Sequence, residues 1–188
     1  MSMPNLRLAA ARLHVPRRER RQALEELFAR TAAAFGSPVP APQGRGTHAR
    51  LAEYACFTRQ RAEEALASSA GDGPAALAAL ERRLYRAARG LGGRYRLRLA
   101  LRSPAEALAA ARLLYRQLGI DFRSFPDGRI LIRSCAFAAL YTPGVCALVS
   151  ALDQGLLAGL AGGGELRFAE RLTEGACCCR AQFKEGRS

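Results

Sequence analysis

The residues best suited to chemistry in this chain are cysteines and carboxylates in its C-terminal part. Five of the six cysteines fall between Arg129 and Phe183, whereas both histidines, His14 and His48, lie far upstream. A histidine-based catalytic triad in this part is therefore disfavoured. A thiolate is a nucleophile and a metal ligand, so the stretch favours thiol chemistry or a metal site.

One candidate group lies on an apolar stretch that begins after Thr142-Pro143. Cys146, Ser150 and Asp153 recur at helical spacing, so they share one face of a helix. Cys146 would lie near the N-terminus of that helix, where the helix dipole favours the thiolate. A carboxylate on so apolar a helix needs a hydrogen-bonding partner if it is buried. The alternative is that Asp153 faces water.

A second carboxylate, Glu170, lies in a strand-like segment. Strict alternation places it on the apolar side with Leu166, Phe168 and Leu172. There it would have a partner or a role in proton transfer, as would Asp153. The alternative is a slip of one residue across a bulge, which would expose Glu170. The candidate catalytic residues are Cys135, Cys146, Asp153, Glu170 and Cys179.

A metal site is the alternative use of the cysteines. In a regular strand Cys177 and Cys179 share a face and Cys178 takes the other. The chain has no C-x-x-C pair, so its spacing does not match a zinc-ribbon pattern. We therefore predict no cofactor. A four-thiolate zinc or iron–sulfur site drawn from Cys135, Cys146, Cys177 and Cys179 stays open as an alternative.

The N-terminal half consists mainly of helical patterns. Apolar residues recur at helical spacing in three segments, and a capping box, Ser103-Pro104-Ala105-Glu106, opens a fourth. Between the third and fourth, residues 94–101 alternate arginines with Tyr95 and leucines, which predicts a half-buried strand. The predicted helices cover residues 16–35, 50–68, 75–91 and 104–118.

The C-terminal half predicts two hairpins on either side of the apolar helix. The first turns at Pro126-Asp127-Gly128, and the second turns at Glu174-Gly175. The fold class is therefore α+β, with a helical N-terminal half. From Arg94 onward the order is β-α-β-β-α-β-β, on a mostly antiparallel sheet of about five strands.

The same patterns suggest three regions. Residues 1–47 form an N-terminal helix and a Pro/Gly-rich linker, residues 48–118 are mostly helical with one strand, and residues 119–188 are the cysteine-containing α+β region. We expect residues 48–188 to form one domain.

Composition limits the partners and the setting. Residues 1–118 carry a net charge of +12 and residues 119–188 carry +1, but the chain is rich in Ala, Arg, Gly and Leu throughout, so solvated helix faces explain the charge better than nucleic acid does. The longest apolar run is broken by Asp153 and Gln154, which predicts no membrane span. Six cysteines without a secretory signal predict reduced thiols and a cytoplasmic protein. The expected partner is a small-molecule ligand. A homo-oligomer stays open.

Several of these residues also resemble a known family. Cys135-Ala136-Phe137 before a helix, Cys146 with Asp153 seven residues later, and the tail RLTEGACCCRAQF are similar to the L-2-amino-thiazoline-4-carboxylic acid hydrolase-like family. The likeness covers about residues 80–183, with Ala136 where the family tends to have proline and Phe183 four residues after Cys179 instead of two.

The resemblance implies a hydrolase that opens a small sulfur heterocycle by acting on a cyclic C–N/C–S compound. It puts Cys135, Cys146, Asp153 and Cys179 at the matching positions. The hairpin-helix-hairpin layout also resembles vinyl-reductase-type small-molecule-sensing domains and the cysteine-bearing domains of iron–sulfur-responsive regulators, although no helix-turn-helix is evident upstream. The rival function is thus a non-catalytic small-molecule- or metal-sensing binding domain.

Overall fold

The computed structural model of the chain describes residues 5–72 and 74–186. Its helices and strands alternate only in the C-terminal half, which confirms the α+β class and the helical N-terminal half. The elements in chain order are α1 (Leu6–Leu13), α2 (Arg17–Phe35), α3 (Thr47–Asp72), α4 (Pro74–Arg98), α5 (Pro104–Gln117), β1 (Ile120–Ser124), β2 (Arg129–Cys135), α6 (Pro143–Ala161), β3 (Glu165–Glu170), a 3-10 turn (Leu172–Glu174) and β4 (Cys179–Lys184).

The sheet of the described residues has four strands, all paired antiparallel, in the order β1-β2-β4-β3. Both predicted hairpins are present. In the centre of the sheet Ile130 on β2 lies opposite Ala181 on β4, and both side chains are buried. One face of the sheet therefore belongs to the core.

The strand predicted for residues 94–101 is wrong. The predicted count of about five strands and the element order that began with a strand at Arg94 are therefore wrong as well. Residues 94–98 continue α4. Leu84, Ala88 and Leu91 are buried along one side of α4, and Tyr95 follows one turn later beside the same core. This apolar stripe continues at helical spacing through the short alternating segment. Burial of the stripe outweighs the strand-like alternation, which spans only a few residues. The helix ends before Ala100, which has a positive φ of 51°.

Helix α6 lies at the centre of the fold against α4. The two backbones approach so closely that a Cβ on Gly155 would collide with the carbonyl oxygen of Tyr85, and one on Gly159 would collide with that of Arg89. On α4 a Cβ on Gly92 would collide with the α6 backbone in the same way. Small residues at a helix crossing permit this backbone contact.

The apolar character of α6 also fits this central place. Within the described residues it is the one helix that is long and apolar enough to cross a membrane by length and composition, and 61% of that apolar window is buried inside the protein. Burial of this kind is typical of the core helix of a globular fold.

The N-terminal helices share the core of the sheet region. Phe28 on α2 is fully buried against the rings of Tyr54 and Phe57 on α3, and Tyr54 in turn meets the ring of Phe137 after β2. The buried Arg50 lies over the Phe28 ring and pairs with Glu25 and Glu53. These contacts hold α2 and α3 over the side of α6 that carries the candidate site.

The two predicted helix caps are present. The Ser103 hydroxyl accepts a hydrogen bond from the Glu106 N–H, and the Thr142 hydroxyl accepts one from the Val145 N–H. The Glu106 carboxylate reaches back to the N–H of Arg102. The caps therefore fix the first turns of α5 and α6, the two helices that carry the central polar pair of the site.

Candidate functional site

A cavity of about 150 Å³ lies between α6, the sheet and helices α2 to α5. Most of its wall is apolar, and a few polar side chains project into it from α5, α6 and the segments that follow β2 and β3. The apolar wall includes Leu24, Leu27, Leu91, Leu114, Val149 and Leu156. Such a combination is typical of a small-molecule site.

Asp153 is the carboxylate of this cavity. Its Oδ1 accepts a hydrogen bond of 2.7 Å from the Tyr115 hydroxyl, which α5 carries on its buried face. Burial raises the pKa of Asp153 to about 6, although the Tyr115 hydrogen bond and the charge of Arg171 both act to lower it. Near neutral pH this carboxyl is therefore close to the range where it can accept and return a proton.

Tyr115 stays a hydrogen-bond donor. Burial and the neighbouring Asp153 raise its pKa well above the ordinary value of 10.0. Its ring stacks on Phe122 of β1 at 4.8 Å, with the two planes only 5° apart. The ring is thus held in place, and its hydroxyl keeps the Asp153 carboxylate oriented.

Three of the predicted cysteines, Cys135, Cys146 and Cys179, line the same cavity as Asp153. They come from the end of β2, the first turns of α6 and the start of β4. Residues far apart in the chain are thus brought together by the hairpin-helix-hairpin arrangement.

These thiols are neutral at physiological pH. Burial raises the pKa of Cys135 to about 11, and it also raises the pKa of Cys146 and Cys179, with the Asp153 charge adding to the effect in each case. For Cys146 this outweighs any benefit from the helix dipole. The Cys179 sulfur accepts a hydrogen bond from the N–H of Leu172.

Glu170 does not line the cavity. The pairing of β3 with β4 shifts register between Phe168 and Glu170, and Glu170 then lies opposite Arg180, with which it forms an ion pair of 3.4 Å. Its side chain is 43% exposed. The alternative in which a bulge exposes Glu170 is therefore confirmed, and strict alternation along this strand is wrong.

Cys177 and Cys178 also lie outside the cavity, at the turn before β4, and Cys177 is exposed. Among residues 5–72 and 74–186 no group of three or more histidine, cysteine or acidic side chains is arranged to hold a metal ion. In the structure Cys177 does not join the other three thiols of the alternative four-thiolate set.

Sequence reasoning missed several polar residues of the site. Tyr115 belongs to it, and so do Arg171 and Thr173, which reach the cavity because the bulge turns the end of β3. Tyr54 and Tyr141 line another part of the wall. A signal existed for Tyr115, since it follows Leu108 and Ala111 at helical spacing on the buried side of α5. No signal in the sequence marked the bulge.

The site combines a proton-transfer group with an apolar cavity wall. Asp153 and Tyr115 form the polar centre, the neutral thiols surround it, and Arg171 adds a positive charge. Water that enters with a ligand would be held against a carboxylate in apolar surroundings, where a general base is effective.

Comparisons with known proteins give no family for the chain. No protein-family model matches it, and neither the curated proteins nor the solved structures contain a significant match.

Proposed function

We propose that the protein is a small-molecule hydrolase-like enzyme that opens a cyclic C–N/C–S compound of the thiazoline type. The observation that carries this proposal is Asp153, a carboxyl with its pKa raised to about 6, held by Tyr115 in a cavity the size of a small ligand. The resemblance of the cysteine and aspartate pattern to the thiazoline-carboxylate hydrolase-like family supports the substrate class.

In this proposal Asp153 acts as the general base. Its carboxylate accepts a proton from a water molecule while the water oxygen attacks the ring carbon between nitrogen and sulfur. The tetrahedral centre then expels either the ring sulfur or the ring nitrogen, and the Asp153 carboxyl gives the proton to the leaving atom. One water is consumed, the ring opens, and no oxidation or reduction occurs. Tyr115 orients the carboxylate throughout.

The three cavity thiols have a different role from the one their positions suggest. Because burial raises the pKa of Cys135, Cys146 and Cys179, they are poor nucleophiles at neutral pH. We assign them to the wall around the sulfur-containing ring, where polarizable side chains pack well. We also propose a reducing, cytoplasmic setting, in which the six cysteines stay free thiols.

The test is hydrolysis of 2-amino-thiazoline-4-carboxylate, followed by mass spectrometry as the gain of one water. The Asp153→Asn variant should lower kcat by at least about a hundredfold, because general base catalysis typically contributes that much. The wild-type rate should rise with pH through about 6, where Asp153 loses its proton.

Glu170→Gln is the matched control, since it removes a carboxylate at the end of β3 that lies outside the cavity. It should retain wild-type activity. Absence of turnover by the wild type, or equal rates for Asp153→Asn and the wild type, would refute the proposal.

A second candidate is a non-catalytic ligand-binding domain, of the kind that vinyl-reductase-type sensors use. The observation that favours it is the apolar wall with three neutral thiols, which suits binding as well as catalysis. Saturable binding of heterocyclic acids without any turnover would support this candidate over the enzyme.

A further inference from the structure

The cavity contains two polar groups that the chain itself leaves without suitable partners. The Nε of Arg171 is buried and makes no hydrogen bond to any described residue. Thr173, two residues later, has a buried hydroxyl that approaches the Cys146 thiol without forming a well-aligned hydrogen bond. Both residues line the cavity. Buried polar groups are nearly always hydrogen-bonded, so an unpaired donor and hydroxyl at one place in a cavity indicate a missing partner.

The remaining contacts of Arg171 leave its Nε without an acceptor. Its Nη1 meets Oε1 of Glu174 at 3.4 Å, a long contact to a side chain that is 43% exposed. The guanidinium lies over the Phe168 ring, 5.0 Å from the ring centre, which holds it in place without supplying an acceptor. Asp153 interacts with Arg171 through its charge, but its hydrogen bond comes from the Tyr115 hydroxyl. A positive group with an unused donor is thus positioned at the cavity wall.

The Nε edge is the part of a guanidinium that, with Nη2 beside it, forms two parallel hydrogen bonds to a planar anion. Carboxylates match this fork, and pairs of this kind are the strong hydrogen bonds of proteins. Glu174 meets Nη1 and leaves this edge unused. The Thr173 hydroxyl can donate a further hydrogen bond to the same anion.

We propose that Arg171, assisted by Thr173, is the carboxylate-binding subsite of the cavity and selects small heterocyclic acids over their neutral analogues. The inference rests on the proposed function for the chemistry of the ligand ring. It adds the residue that binds the carboxylate of the ligand. With the carboxylate at Arg171, the ring of the ligand extends along the apolar wall towards Asp153, which lines the same cavity.

The test compares thiazole-4-carboxylate with thiazole-4-carboxamide, two aromatic probes of the same shape that the proposed reaction does not open. Isothermal titration calorimetry at low salt should show the acid binding the wild type more tightly than the amide by about tenfold or more, as expected for hydrogen bonds to a charged group. In Arg171→Gln the acid should lose this advantage, while the affinity of the amide stays within about twofold. Arg171→Lys should retain part of the preference.

Arg167→Gln is the matched control, because Arg167 lies on β3, just before Arg171 in the chain, but is exposed and paired with Glu165. It should bind both probes as the wild type does. Equal affinities of acid and amide for the wild type, no saturable binding of the acid at millimolar concentration, or a preference that survives Arg171→Gln would each overturn the inference. Where a variant fails to fold, equal affinities of acid and amide for the wild type would still overturn the inference.

The two proposals fail separately. Acid selectivity through Arg171 without any hydrolysis would refute the enzyme and keep the subsite. Hydrolysis that depends on Asp153 but is equally fast without the carboxylate of the substrate would refute the subsite and keep the enzyme.

Discussion

Asp153 should make the folded protein less stable at neutral pH than in mild acid. Its pKa is raised from 3.8 to about 6 by burial, so the folded state holds this proton more tightly than the unfolded chain does. As the pH rises from 3.8 to about 6, the unfolded chain loses the proton first, and the free energy of unfolding falls. Above about pH 6 the loss is complete. The Asp153→Asn variant has no such proton to lose.

The magnitude follows from the size of the shift. One pKa unit corresponds to about 1.36 kcal/mol, so a shift from 3.8 to about 6 costs the wild type about 3 kcal/mol at pH 7. Tyr115 and Arg171 already act to lower this pKa, and the thiols of Cys135 and Cys146 stay protonated in this window. An asparagine oxygen can still accept the Tyr115 hydrogen bond. Asp153→Asn should therefore gain stability over the wild type as the pH rises.

Urea unfolding followed by circular dichroism, at several pH values between about 4 and 8, measures this difference. Over this range the free energy of unfolding of Asp153→Asn minus that of the wild type should increase with pH by about 2–3 kcal/mol. Glu170→Gln serves as the control for removal of an exposed carboxylate. A difference for Asp153→Asn that is flat or falls with pH would refute the reasoning about its burial.

Three further predictions concern the supporting structure. Gly155→Ala should destabilise the protein by about 1–3 kcal/mol or more in urea unfolding, because its Cβ meets backbone on α4, whereas Gly93→Ala, with open space around it, should be neutral or stabilising. Ser103→Ala should cost about 0.5–2 kcal/mol through loss of the α5 cap, measured as a lower urea midpoint. In alkylation by iodoacetamide at pH 7, mapped by peptide mass spectrometry, the exposed Cys177 should react well before the half-buried Cys135, and simultaneous labelling would contradict the raised pKa of Cys135.

Local patterns were sufficient to predict most helices and both hairpins. The caps at Ser103 and Thr142 depend on contacts within a few residues, so they can be recognised in the sequence alone. The helical spacing of Cys146 and Asp153 also placed them correctly on one face of α6, towards the cavity. These features are short-range, and tertiary packing does not alter them.

Tertiary contacts determined the features that the sequence predicted wrongly or left undecided. The alternation at residues 94–101 predicts a strand, but the buried stripe of α4 makes residues 94–98 part of a helix. The bulge in β3 decides which of Glu170 and Arg171 faces the cavity, since a shift of one residue exchanges the two sides of a strand. The partner of Asp153 lies 38 residues away on α5, so only the folded chain shows that Tyr115 holds it.

The backbone contact between α4 and α6 fixes the wall of the cavity that carries Asp153. Asp153 lies two residues before Gly155, whose close approach to Tyr85 fixes the position of α6. The opposite wall is built by side chains such as Leu24 and Leu27 on α2, which touch the cavity without taking part in that crossing. Substitutions on α2 can therefore change the size of ligand that fits while the Asp153 carboxyl stays in place. In such a fold, sequence changes on α2 can alter which ligands fit, while the position of Asp153 is conserved by the helix crossing.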